Sequence, residues 1–135
     1  MAWLAAKVAV PEDVARLRLH LEKEHEALHA GRDSDAIMLS ARFHVGIAEI
    51  AAHSIYTGFV RDLVSHSSLI IALYWSRRDT TCESHAHHAL VEASGGGCGA
   101  EAADLMSGHL VDLLLRLSPS RSVKRPDNLA DIPRL

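Results

Sequence analysis

Ser40–His53 reads SARFHVGIAEIAAH, and the reading of this stretch decides the fold. It holds no proline, one glycine at Gly46 and many apolar residues, a composition that predicts an α-helix. On a 3.6-residue period Ile37, Ala41, His44, Ala48 and Ala51 share one face. That face is apolar except for the imidazole of His44, which is therefore expected to turn toward a core. A buried imidazole needs a partner for each ring nitrogen or it costs stability. The rest of the chain has to supply those partners.

Working outward, the same period recurs. Ala2–Val8 is a short helical piece. Pro11 opens a helix with acidic residues in its first turn, and Val14, Leu17, Leu21 and Leu28 follow at helical spacing. Gly31 ends it. Asp33 or Ser34 caps the helix that carries His44, which runs to about Ala52. A further helix spans Ile55 to about Trp75, with Phe59, Leu63, Ile70 and Leu73 as its apolar positions. Arg77, Arg78 and Asp79 form a polar break, and Thr80 or Thr81 starts a helix ending near Ser94. SGGGCG, residues 94–99, is a loop. Glu101 to Leu117 is the last helix, with Leu105, Leu110, Leu113 and Leu114. There is no strict apolar alternation, no Asn-Gly or Asp-Gly hairpin signal and no fixed repeat. The expected fold is all-α, an antiparallel bundle of about six helices over residues 1–118. Residues 119–135 are polar and Pro-punctuated and are expected to form an irregular tail.

The chain has 135 residues, enough for one core, and 48% of them are apolar. Its formal charge of −3 gives no basic excess to hold a nucleic-acid backbone, so DNA binding by this chain itself is not expected. Cys82 and Cys98 match no metal or redox spacing and read as reduced thiols of a cytoplasmic protein. MAWLAAKVAV lacks the charged start and apolar core of a signal peptide. The longest apolar run, LIIALYW at Leu69–Trp75, is too short to span a bilayer.

Ten histidines are the most unusual feature of the composition. His87 lies three before Leu90 and four before Val91, on the stripe its helix should bury. His109 lies four after Leu105 and four before Leu113, again on an apolar stripe. Three helices thus each turn one histidine inward, a common way to build a metal site in a bundle. Three nitrogen ligands leave positions open for water or for a carboxylate from a small molecule. A single inward histidine is more often a core residue satisfied by a carbonyl or a water, and that reading stands beside the metal one. His20, His25, His29, His53 and His66 show no partner spacing. His88 points elsewhere, and His85 is a less well phased substitute for His87.

The order of these segments resembles the FCD domain, the C-terminal effector-binding domain of FadR-type GntR transcriptional regulators. ARFHVGIAEIAA is similar to the family's D-x-x-F-H followed by I-A and small residues. HHALVEA is similar to its H-R-A-L-x-E-A, and AADLMSGHL to its A-x-x-x-M-x-x-H-L. The resemblance runs from Ala5 to about Leu117. It implies a helical bundle that binds a divalent metal, zinc or nickel, through one Asp and three His, with the metal helping to hold a small organic acid. By position the histidines are His44, His87 and His109. The Asp would lie four before His44, where this chain has Ser40. A hydroxyl is a poorer ligand than a carboxylate. Either a three-His site takes an extra water or ligand oxygen, or the histidines bind an anion without metal. Asp35 is too far along the helix to stand in. Regulators of this family also carry an N-terminal winged helix-turn-helix, and nothing here resembles it. DNA contact is expected only through such a separate domain, in a homodimer.

Arg42 is a candidate pocket cation for a carboxylate, or a surface charge. Ser67 and Ser68 could line a pocket or bond back to the preceding turn. Tyr74 and Trp75 read as packing residues, and Arg121, Lys124 and Arg125 as a small basic patch in the tail. Glu83, four before His87, could be a partner behind the ligands. The function expected is ligand sensing, not catalysis. A plain helical dimerisation module and a zinc hydrolase are the rivals, the latter without an H-E-x-x-H or a spaced general base.

Overall fold

The computed structural model describes residues 1–74 and 80–117, with the backbone alone for residues 80–84. The expectations for Trp75, the 77–79 break, the Glu83 side chain and the tail from residue 118 lie outside the described residues. Within them the chain forms six helices and is all-α: α1 Ala2–Val8, α2 Pro11–His29, α3 Asp33–Ile50, α4 Ser54–Tyr74, α5 Thr80–Gly95 and α6 Gly99–Arg116. Among the described residues no helix is long and apolar enough to cross a membrane.

Local chemistry sets the boundaries. Pro11 occupies the first turn of α2, where its missing N–H costs nothing. The Val10 N–H donates to Asp13 Oδ2 at 3.2 Å, which ties the entry of the helix. Gly31 ends α2 with φ of 69°. Its N–H donates to Leu28 O and the Arg32 N–H to Ala27 O, at 3.0 and 2.9 Å. This paired closure needs a left-handed residue, which glycine takes without a Cβ clash. The loop after α5 repeats the device: Gly97 has φ of 68°, and the N–H groups of Gly97 and Cys98 donate to Ser94 O and Ala93 O. At the end of α3 the left-handed position, φ 52°, falls on Ala52 instead.

The core forms where α1, α2, α3, α5 and α6 meet. Phe43, Leu17, Leu21, Ile47, Leu90 and Val91 are its largest fully buried apolar side chains. α3 is central and packs on α1, α2 and α4. Among the described residues α4 packs on α3 alone. The Thr57 hydroxyl donates to Ala48 O at 3.1 Å, and Arg61 pairs with Glu49 at 3.2 Å, which fix its first half. The sequence pattern marks Phe59, Leu63, Ile70 and Leu73 as the apolar positions of this helix, and the structure leaves them outside the core. All four are exposed, Phe59 at 67%, and α4 has no buried residue. Its apolar stripe has no neighbouring helix among the described residues to receive it. Leu110 and Leu114 of α6 are exposed for the same reason.

Candidate metal centre

α3, α5 and α6 bring His44, His87 and His109 together, as the phase of each helix requires. All three are buried: 9%, 0% and 5% exposed. One ligand-type nitrogen from each lies within 4.8 Å of the others. His87 Nε2 and His109 Nε2 are 3.2 Å apart. The His44 ring stacks on that of His109 at a centroid distance of 5.3 Å and meets His87 edge-on at 5.2 Å. Phe43, beside His44 in sequence, lies 4.4 Å from the His87 ring and closes one side of the group.

Burial sets the charge state. Desolvation first, then the neighbouring rings of His87 and His109, holds His44 well below the ordinary histidine value. Desolvation and then His87 push His109 down to about 4. Both imidazoles are neutral at pH 7, the form that carries a free lone pair for a metal.

A fourth buried polar group joins them. Glu24 of α2 is 3% exposed, and its Oε2 lies 3.2 Å from His87 Nδ1. The sequence reading did not single it out. The signal was present: Glu24 interrupts the stripe of Val14, Leu17, Leu21 and Leu28, three residues after Leu21. A carboxylate on a buried stripe requires a partner.

His44 and Glu24 open onto a cavity of about 170 Å³ bounded by α2, α3, α4 and α6. Ser40, Ser67 and Ser68 line it together with apolar side chains including Val60, Val64, Ile71 and Met106. The Ser67 and Ser68 hydroxyls each also donate to Val64 O, at 3.4 and 2.6 Å. Arg42 is elsewhere. It is exposed and lines a second, more open cleft with His20, Arg16 and Arg61. His85 is exposed, and His88 turns to the His25 ring, 5.1 Å away.

The donor set fits a divalent ion. Two nitrogens at about 2.0–2.1 Å from a tetrahedral zinc stand roughly 3.3 Å apart; the His87–His109 pair is at 3.2 Å. Three imidazoles suit zinc or nickel, and the cavity leaves the remaining coordination open to water or a ligand oxygen.

Fold and site together define a helical ligand-binding domain with a buried three-histidine cluster at the wall of a cavity. The FCD domain model matches residues 1–112, and the chain belongs to the FCD family, the effector-binding domain of GntR-family regulators. Neither a search of curated proteins nor one of solved structures returned a significant match.

Proposed function

We propose that this chain is the ligand-sensing domain of a GntR-type transcriptional regulator, and that it binds a small organic acid at a divalent ion held by His44, His87 and His109. One observation carries the reading. Three buried imidazoles from three helices converge beside a cavity that His44 lines, an arrangement that a bundle core has no packing reason to build. When bound, the metal would supply the positive charge that a carboxylate seeks. Ser40, Ser67 and Ser68 are placed to meet its polar groups, and the apolar wall takes the rest of the molecule. The cavity lies between α4 and the other helices, so a bound acid favours one setting of α4 over another. This is the differential binding that a population shift requires. Arg42 lies on the second cleft and is the weakest of the proposed ligand contacts.

The reading includes a homodimer. α4 and the second half of α6 present Ile55, Phe59, Leu63, Ile70, Leu73, Leu114 and Leu115 to solvent. An apolar surface of this extent marks an association site, and a second copy of the chain covers it in our reading. The site is regulatory and not catalytic, and the domain works in the cytoplasm with DNA contacted only through a separate domain.

Elemental analysis of protein purified without a histidine tag or chelator tests the proposal. One equivalent of zinc or nickel is expected, lost in His44→Ala and in His109→Ala. Metal in excess should raise the melting temperature of the parent protein only, since ligand at a thousand times Kd adds about 4 kcal/mol. Unchanged metal affinity in both variants would show that the ligands have been misassigned.

A further inference from the structure

The three imidazoles are not held equally. His87 is the one gripped from behind, and the grip comes from α2, a helix that supplies none of the histidines. Glu24 Oε2 lies 3.2 Å from His87 Nδ1, across 63 residues of sequence, with both side chains buried. A carboxylate accepts and does not donate, so Nδ1 of His87 carries the proton. That leaves Nε2 as the nitrogen turned to the cluster, 3.2 Å from His109 Nε2. The direction that the chemistry of the partner fixes is His87 Nδ1–H to Glu24.

Charge points the same way. A dication among three neutral imidazoles has no anionic partner in its own coordination shell, and position 40 offers only a hydroxyl. Glu24 is the carboxylate in hydrogen-bonding contact with the cluster. A carboxylate behind a ligating imidazole makes the ring a stronger donor and fixes its orientation. We infer that Glu24 is the positioning carboxylate of this centre: it sets the His87 tautomer and supplies, through the ring, the negative charge that Ser40 does not. The second half of this rests on the metal reading above; the first does not.

The test combines two measurements on the whole chain. Long-range ¹⁵N–¹H spectra of the metal-free protein report which nitrogen of each imidazole is protonated. Zinc and nickel titrations against a competing chelator give affinities for the parent protein, Glu24→Gln and the double variant Glu24→Gln/Ser40→Asp. His87 is expected as the Nδ1–H tautomer in the parent protein. Glu24→Gln should weaken metal binding about 10- to 100-fold, and adding Ser40→Asp should restore most of it, a rescue that a purely structural role for Glu24 does not produce. An Nε2–H tautomer of His87 in the parent protein overturns the inference, and needs no variant to fold. Tight metal binding by the parent with equal affinity in Glu24→Gln overturns the charge role and leaves the metal centre standing. No metal binding by the parent removes the metal centre and the charge role together, while the tautomer result still decides whether Glu24 orients His87.

Discussion

α3 and α4 are neighbours of similar length and apolar content, yet they end in opposite environments. α3 buries Phe43, His44, Ile47, Ala48 and Ile50 in the core. α4 buries nothing and, among the described residues, leans on α3 alone. Periodicity says which residues of a helix belong together on a face. It does not say whether a second surface arrives to cover that face. The difference has a functional side. The histidines and Glu24 sit in the core half, while the cavity that His44 and Glu24 line is closed by the helix with the least to hold it. Few buried contacts mean a low cost of local displacement, so α4 is the element a ligand can reset.

Substitutions at paired positions sharpen this contrast. Phe43→Ala removes a fully buried ring that walls the cluster and should cost about 3–5 kcal/mol in urea denaturation. Phe59→Ala, two-thirds exposed on α4, should change monomer stability by less than about 0.5 kcal/mol. Similar losses at both sites would mean that α4 is buried in solution far more fully than it is within one chain.

The next effect is on assembly. Phe59→Glu with Leu63→Glu places two charges on the exposed stripe of α4. Light scattering should find the parent protein a dimer and the double variant a monomer, with the helical circular dichroism signal retained. A parent that is monomeric at all concentrations would remove the second copy from the proposed function.

Acid acts on the core half. His44 and His109 have folded values below the 6.5 of an unfolded histidine. Between about pH 6.5 and 4 the unfolded chain therefore binds protons that the folded chain refuses, and stability falls as pH falls through this window. Above about 6.5 both states are neutral at these rings and the contribution is flat. Urea midpoints measured from pH 8 to 4 should show this slope, and His109→Gln should make it shallower.

The smallest effect belongs to the joint between the two regions. Ala52 holds φ of 52° just after α3, a conformation that costs a residue with a Cβ roughly 1–2 kcal/mol. Ala52→Gly relieves it but adds freedom to the unfolded chain, so a net gain below about 1 kcal/mol is expected as a rise of a few degrees in melting temperature.

Much of this molecule was legible along the chain. The helix boundaries near Pro11, Gly31 and the 94–99 loop follow from residues that act within a few positions of themselves. The inward phase of His44, His87 and His109 follows from spacing to Ala48, Leu90 and Leu105 on their own helices. Arg42 shows the limit: spacing set it off the His44 face, and only the arrangement of α3 against α4 placed it on a different cleft. Glu24 shows it again. Its interruption of an apolar stripe was visible, but its partner was not, because His87 is 63 residues away and meets it only where α2 packs on α5. The sequence by itself determined the helices, their breaks near Pro11, Gly31 and residues 94–99 and the phase of the three histidines, since these depend on backbone period and local hydrogen bonds; the cap expected from Asp33 or Ser34 is not formed, because the N-cap of α3 is Arg32 with no side-chain cap bond. Tertiary structure alone decided that the three imidazoles meet, that Glu24 stands behind one of them and that, among the described residues, α4 packs on α3 only. Each of those is a matter of which faces meet across space, and a helix carries no local record of its neighbour.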